Sequence, residues 1–137
     1  MPKRKIRIII DTNLWISFLL SKDLSRFDKL LSSERMVLLF SQELLEEFIE
    51  VASRPKFKKY FNQNDLRNLL IHIRENGEFI EVKSMVTICR DPKDNFLLAL
   101  AKDGKAAYLI TGDNDLLTLK KHGKTLIINM KTFLSFK

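Results

Sequence analysis

Cysteine is nearly absent from the sequence, which has a single thiol at Cys89. One cysteine excludes an internal disulfide, and its position relative to His72 and His122 does not match a zinc-binding pattern. Both histidines are therefore predicted to be surface or packing residues. The lack of disulfides favours a cytosolic compartment.

Glycine and proline are also scarce, with four and three residues among 137. The chain therefore has little room for long loops. No apolar run approaches the roughly 20 residues that span a bilayer. The basic start over residues 1–11 has an apolar part too short for a signal peptide. We therefore expect no membrane association.

The composition is that of one globular domain. Hydrophobic residues make up 45% of the chain, and its length suits a single domain over residues 1–137. Lysine and arginine number 24 against 17 acids, a net charge of +7. This excess favours a polyanionic partner such as nucleic acid, although charge alone fits an ordinary basic protein equally well.

The apolar pattern alternates between short β-rich runs and longer helical stretches. Strands are predicted at 6–10, 35–41, 78–82, 106–110 and 124–129. Helices are predicted at 14–21, 24–33, 42–53, 62–77, 91–104, 113–123 and 130–136, with Ser41 as an N-cap and Gly77 and Gly104 as helix ends. The alternation predicts a three-layer α/β/α fold with a five-stranded parallel sheet.

Acids follow the predicted strands directly. Asp11 follows the first strand, and Asp113 and Asp115 follow the strand at 106–110. Ligands of open α/β sheets bind outside the carboxyl ends of the strands. Each acid could instead cap a helix, and "DPKD" is a typical helix start with Asp91 at the cap and Asp94 facing the amides. Capping does not explain why acids recur at several strand exits.

A glutamate stripe follows the second strand, formed by Glu43, Glu46, Glu47 and Glu50. Most of it is expected to be a solvated face, but one glutamate near the middle could reach the strand exits. Spacing cannot choose between Glu46 and Glu47. Carboxylates that meet at one edge repel each other unless a counter-charge is present, and an oxygen-only ligand set suits Mg²⁺ or Mn²⁺.

Four blocks together resemble PIN-domain ribonucleases: "IIIDTN", "SQELLEEFIEVASRPKF", "CRDPKDNFLLALA" and "YLITGDNDLL". The resemblance covers nearly the whole chain from residue 6. It is closest to the small bacterial and archaeal PIN proteins that act as toxins of toxin–antitoxin pairs (VapC-like). Each block alone is a weak motif, whereas all four in this order are specific.

The resemblance implies particular roles for the acids. It assigns the catalytic and metal-binding positions to Asp11, Glu47, Asp94 and Asp113, a peripheral metal-binding position to Asp115, and supporting positions to Asn13 and Thr111. The implied activity is Mg²⁺- or Mn²⁺-dependent hydrolysis of RNA that leaves a 5′-phosphate. The implied setting is a cytoplasmic protein with a possible antitoxin partner and a possible homodimer. The alternatives are a catalytically silent PIN-fold RNA-binding or interaction module and, less favoured because position 13 is Asn, a phosphatase with Asp11 as nucleophile.

Basic clusters are candidates for attracting the RNA backbone around an acidic site. They are Lys3, Arg4, Lys5 and Arg7; Lys56, Lys58 and Lys59 with Phe57, Tyr60 and Phe61; and Lys120, Lys121 and Lys124. Basic residues interleaved with aromatics can combine phosphate contact with base stacking. The alternative is a solvated face with Phe57 and Phe61 in the core. Trp15 is predicted to be a core residue.

Overall fold

The computed structural model describes residues 5–21, 35–60 and 62–136. Within these ranges a sheet lies between helices, as the three-layer prediction requires. The predicted helix at 24–33 lies outside the described residues, as do Lys3, Arg4 and Phe61.

The sheet contains six strands in the order β3-β2-β1-β4-β6-β5. They are β1 (Ile6–Ile10), β2 (Met36–Phe40), β3 (Glu78–Phe79), β4 (Tyr108–Ile110), β5 (Lys121–His122) and β6 (Thr125–Ile128). All neighbouring pairs are parallel except β5 and β6, which are antiparallel. The predicted five parallel strands are all present, and the expected total is corrected by this additional short strand.

Strand register brings the central strands to a common end. Ile10 of β1 lies beside Ile110 of β4, which lies beside Ile128 of β6. We call this side of the sheet the carboxyl edge and the opposite side the amino edge. Residues that directly follow β1 and β4 are therefore neighbours in space although they are about 100 positions apart in the chain.

The described helices are α1 (Thr12–Ser21), α2 (Gln42–Ala52), α3 (Pro55–Lys58), α4 (Gln63–Asn76), α5 (Pro92–Gly104), α6 (Asn114–Leu117) and α7 (Met130–Ser135). Ser41 caps α2, since its hydroxyl accepts the Leu44 N–H at 3.0 Å. Asp91 caps α5 by accepting the Lys93 N–H at 2.9 Å. Both predicted caps are confirmed. None of the helices in the described ranges is long and apolar enough to cross a membrane.

The predicted helix at 113–123 is wrong beyond its first turn. Helix α6 ends at Leu117, Lys120 takes a positive φ of 62°, and the chain then pairs with β6. His122 lies opposite Thr125, so Gly123 and Lys124 form a two-residue hairpin turn. Gly123 has φ 59°, a value that glycine adopts without steric penalty. This glycine belongs to a hairpin rather than to a helix end.

Gly77 and Gly104 lie at the ends of α4 and α5, but neither adopts the left-handed backbone conformation. A Cβ on Gly77 would lie 2.6 Å from the Ile73 carbonyl oxygen, and one on Gly104 would lie 2.8 Å from Leu39 Cδ1. Gly104 remains helical, and it is Lys105 that takes the left-handed conformation, with φ 53°. The predicted helix end at Gly104 is confirmed, and the small residue there permits close packing against Leu39.

The core lies on both faces of β1, which explains the run of three isoleucines. Ile8, Ile9 and Ile10 are at most 2% exposed. Burial of each such side chain contributes about 1.5–3 kcal/mol. Trp15 is 1% exposed and its indole N–H donates to the Ile10 carbonyl at 3.1 Å, so its prediction as a core residue is confirmed.

Candidate active site at the carboxyl edge

A cleft of about 200 Å³ opens at the carboxyl edge. We call it the acidic cleft. Its charged lining residues are Asp11, Glu47, Arg54, Asp91, Lys93, Asp94 and Asp113. The four acids given catalytic positions by the resemblance, Asp11, Glu47, Asp94 and Asp113, thus share one cavity although they come from four separate parts of the chain.

Asp11 is held at the end of β1 by a buried threonine. Its Oδ2 accepts the Thr111 hydroxyl at 2.8 Å, while its Oδ1 accepts the Asn13 N–H at 3.5 Å. Asp11 is 8% exposed. Burial raises the pKa of Asp11, and the charges of Asp113 and Glu47 act in the same direction, while the hydrogen bonds from Thr111 and Asn13 oppose them. The weak contact to Asn13 makes capping a minor role of Asp11.

Thr111 joins two strand-exit acids. Its hydroxyl donates to Asp11, and its oxygen accepts the Asp113 N–H at 3.1 Å. Thr111 is completely buried directly after β4, so it does not line the cleft itself. Its position fits the supporting role that the resemblance gives it. Asn13, by contrast, is exposed and lines the cleft.

Asp94 lies on the first turn of α5 and is 5% exposed. Asp91 caps this helix, which leaves the Asp94 carboxylate available to the cleft. Burial raises the pKa of Asp94 to about 6, with further contributions from the charge of Asp113 and a hydrogen bond to it. A carboxyl with this pKa holds its proton far more readily than an exposed aspartate does.

Asp113 has two roles, because it caps α6 and also lines the cleft. Its Oδ1 accepts the Asp115 N–H at 2.8 Å. One carboxylate oxygen each from Asp94, Asp113 and Asp115 lies within 4.8 Å of the others. Asp115 is exposed and pairs with Arg90 at 3.2 Å, outside the acidic cleft. Its position is therefore peripheral.

Glu47 is the member of the glutamate stripe that lines the cleft. It is half-buried and pairs with Lys93 Nζ at 3.3 Å. Glu46 is exposed and accepts a hydrogen bond from the Gln42 side chain at 3.2 Å on the same helix. Sequence spacing could not decide which of these two glutamates reaches the strand ends. In the structure it is Glu47 that lines the cleft.

Two cations in the cleft were missed by sequence reasoning. Lys93 lies within "DPKD" and faces Glu47, and Arg54 follows α2 and pairs with Glu50 at 3.1 Å. Both adjoin motifs that the sequence analysis singled out, but only the packing of α2 against the α5 terminus shows that they reach the cleft.

The donor set suits a hard divalent cation. All acidic groups at the cleft offer oxygen, and two of them, Asp94 and Asp113, lie close enough to Asp115 just outside it for the three to share one ion. Burial, followed by the charge of Asp113, raises the pKa of Asp94, so a negative charge is disfavoured at this position. A bound cation would relieve that repulsion. The residues present therefore fit Mg²⁺ or Mn²⁺.

A family profile for the PIN domain matches residues 7–115 of the chain. That range contains all five of the acids that the resemblance picked out, from Asp11 to Asp115.

The chain belongs to the PIN-domain family.

PIN domains are generally nucleases, so membership indicates a phosphodiester hydrolase. The sequence-based identification of the family is confirmed. One relative is the uncharacterized protein MJ1680 of Methanocaldococcus jannaschii. It is 33% identical over 132 residues, which cover 94% of this PIN domain chain and 84% of the relative.

Proposed function

We propose that this PIN protein is an endoribonuclease that depends on Mg²⁺ or Mn²⁺. The observation that carries the proposal is the crowding of Asp94, Asp113 and Asp115 oxygens within 4.8 Å, beside a cleft that Asp11 also lines. Carboxylates this close are unfavourable together unless a cation or a proton compensates them. Capping of α6 requires only one of these carboxylates, Asp113, and so does not explain why the three lie together.

Asp11, Asp94 and Asp113 would hold the cation, with Glu47 facing them from α2 and Asp115 at the periphery. A bound Mg²⁺ or Mn²⁺ supplies a polarised water and offsets charge on the scissile phosphate. Thr111 fixes the orientation of Asp11 through its 2.8 Å hydrogen bond. The remaining lining acid, Asp91, is occupied by capping α5.

The cations of the cleft suit a phosphodiester substrate. Lys93 pairs with Glu47 in this state, and Arg54 lies at the same cavity. Their positive charges would meet the phosphates next to the scissile bond. The net charge of +7 attracts the rest of a polyanion to the molecule. The PIN family supports RNA as that polyanion.

Cleavage of defined single-stranded and structured RNAs with Mg²⁺ or Mn²⁺ tests the proposal. We expect Asp11→Asn and Asp94→Asn to abolish cleavage, since each removes a charged oxygen ligand. Asp65→Asn is the matched control, because Asp65 lies on α4 outside the cleft and loses the same charge. Circular dichroism of all three variants checks that the fold is retained.

Cleavage by both cleft variants at the wild-type rate would refute the proposal. RNA that is bound but never cut at any Mn²⁺ concentration would instead favour a silent binding module. A mock preparation from cells that lack the protein is assayed in parallel, so that cleavage by a contaminating nuclease is measured separately.

We also propose that this ribonuclease serves as a toxin with a protein antitoxin, which the resemblance to the small PIN toxins supports. Induced expression should then arrest growth of a bacterial host. The Asp11→Asn protein, expressed to the same level, should not. Growth arrest by both proteins would exclude toxicity through cleavage.

A further inference from the structure

A second cavity lies at the amino edge, on the opposite side of the sheet from the acidic cleft. It is formed by the end of α5 and the hairpin of β5 and β6, and its volume is about 590 Å³. We call it the lysine pocket, after Lys102, Lys105 and Lys124, which line it together with His122. Ligand pockets in proteins commonly have volumes of about 300–1,000 Å³.

The charge of the lysine pocket is of one sign. None of its lining residues is acidic. Within the described part of the chain, none of the three lysines forms an ion pair with a carboxylate. By contrast, Lys93 in the acidic cleft is paired with Glu47. The lysines of the pocket are thus available to an anionic ligand, and lysine is a common phosphate ligand in proteins.

The backbone around the lysine pocket is unusual. The described residues with positive φ are Lys105 (53°), Lys120 (62°) and Gly123 (59°). Lys105 and Gly123 line the pocket, and Lys120 precedes the strand that leads to it. Non-glycine residues held in this conformation are often found at functional sites.

The two walls of the pocket are tied together. The Thr125 hydroxyl donates to the Ala106 carbonyl at 2.7 Å, which connects the start of β6 to the segment after α5. Both residues line the pocket, and Thr125 is buried. The methyl group of Ala106 and that of Ala101 add apolar surface beside the lysines. The pocket therefore combines charge, a fixed backbone and an apolar wall.

We propose that the lysine pocket binds a nucleotide, with the lysines contacting its phosphate. The pocket's volume of about 590 Å³ is many times the roughly 30 Å³ that one water occupies in the liquid, so the pocket has room for a nucleoside as well as for a phosphate. The nucleotide is either free or the terminal residue of an RNA, because both present the same phosphate chemistry.

The lysine pocket is separate from the acidic cleft. Ala106 lies at the pocket and Thr111 behind the cleft, at opposite ends of β4, so they are roughly 16 Å apart along an extended chain. The nucleotide site does not depend on the proposed nuclease activity. Loss of one therefore leaves the other testable.

Titration of the ¹⁵N-labelled full chain, followed by amide NMR, tests the inference. The ligands are adenosine, AMP, and a short RNA carrying a 5′-phosphate, all without divalent metal so that the RNA stays intact. We expect saturable shifts at the Ala106, Gly123 and Thr125 amides with AMP or with the RNA, and none with adenosine. Saturation by AMP identifies a free nucleotide, and saturation by the RNA alone identifies a chain end.

The variant Lys105→Gly/Lys124→Ala should weaken binding at least tenfold. Glycine accepts the left-handed conformation of Lys105, so the fold is retained. The control Arg67→Ala/Arg74→Ala removes the same charge from α4 and should change affinity less than twofold. Lys105→Arg keeps the charge and should bind nearly as well as the wild type.

Three results would overturn the inference. The first is the absence of saturable shifts at the pocket amides with either phosphate ligand. The second is equal amide chemical-shift changes with adenosine, which would mean that the lysines do not recognise the phosphate. The third is equal weakening by the α4 control pair, which would mean that the effect comes from the overall charge of the molecule.

Discussion

At the scale of single residues, Thr111 holds two acids of the proposed metal site, Asp11 and Asp113, without lining the cleft itself. It donates to Asp11 at 2.8 Å and accepts the Asp113 N–H at 3.1 Å. Thr111 is fully buried, so both hydrogen bonds are shielded from solvent on its side. Buried polar groups that lose a partner destabilise a protein by about 1–3 kcal/mol.

We therefore predict that Thr111→Val lowers kcat for RNA cleavage roughly tenfold, with little change in KM. The substitution preserves the shape of the side chain and leaves Asp11 less well oriented. Thr111→Ser keeps the hydroxyl and serves as the matched control. Steady-state kinetics on one RNA substrate would contradict the prediction if the valine and serine variants had equal kcat values.

Asp94 leads to a prediction about pH. Its pKa is about 6 in the folded chain, against 3.8 for an ordinary aspartate. Between these values the native state keeps a proton that the unfolded chain has lost, so stability falls as pH rises from about 4 to about 6. The shift corresponds to about 3 kcal/mol.

Asp94→Asn should remove this loss and leave the metal-free protein more stable than the wild type at pH 7.5. The difference between the two should shrink toward pH 4 and disappear about one unit below it, where Asp94 is protonated in both states. Urea unfolding in EDTA across this pH range measures it. If the wild type is as stable as the variant at pH 7.5, ionisation of Asp94 does not destabilise the fold.

Sequence reasoning at the residue scale succeeded where a local rule applied. Asp91 at the start of α5 and Ser41 at the start of α2 are caps, as their residue types and spacing predicted. Glu47 was not separable from Glu46 by spacing, because both lie on one helical stripe. Arg54 and Lys93 were missed because their position at the cleft depends on how α2 and α5 pack.

At the scale of elements, the segment between β3 and α5 has no regular structure over residues 80–91 but is anchored to α5 at two points, by Asn95 at Cys89 and by Asp103. Asp103, near the end of α5, accepts the Lys83 N–H at 2.6 Å and the Ser84 N–H at 2.8 Å, and also the Ser84 hydroxyl. The hydrogen bonds from Ser84 are the main reason that the pKa of Asp103 lies below its usual value. This segment leads directly to Asp91 and the cleft.

We predict that Asp103→Ala speeds hydrogen exchange at the Lys83 and Ser84 amides roughly tenfold, because their shared acceptor is lost. Asp103→Asn keeps an uncharged acceptor and should give an intermediate rate. In the wild type the anchor is complete above pH 4 and should weaken as pH falls through the lowered pKa. Unchanged exchange in the alanine variant would mean that the segment is held elsewhere.

Strands and helices differ in how well the sequence predicted them. The central strand β1 was placed at 6–10 as observed, since continuous burial on both faces produces an unbroken apolar run. The stretch 113–123 was predicted as one helix because leucines and lysines are good helix formers. Pairing of β5 with β6 overrides that local preference, and such pairing cannot be read from the stretch itself.

At the scale of the whole molecule, an acidic cleft lies in a strongly basic chain. The net charge is +7, yet five carboxylates line a single cavity with only Arg54 and Lys93 as cations. Arg54 is half-exposed, and its partner Glu50 is more exposed still. A phosphate can therefore replace Glu50 as the partner of this guanidinium, because breaking such an exposed ion pair costs little free energy.

We predict that Arg54→Ala raises KM for RNA several-fold with a small effect on kcat. It should also reduce the slope of log affinity against log salt concentration by about one, which is the change expected when one phosphate contact is lost. Arg74→Ala, which removes the same charge from the end of α4, is the control. Fluorescence anisotropy with labelled RNA between 50 and 300 mM salt measures the slope. Equal slopes for both variants would place Arg54 outside the RNA path.

The strands at the two borders of the sheet, β3 and β5, contain only two residues each. An incoming polypeptide could gain very few backbone hydrogen bonds by adding to either border. The fold is thereby protected against the stacking of strands between molecules that leads to fibrils.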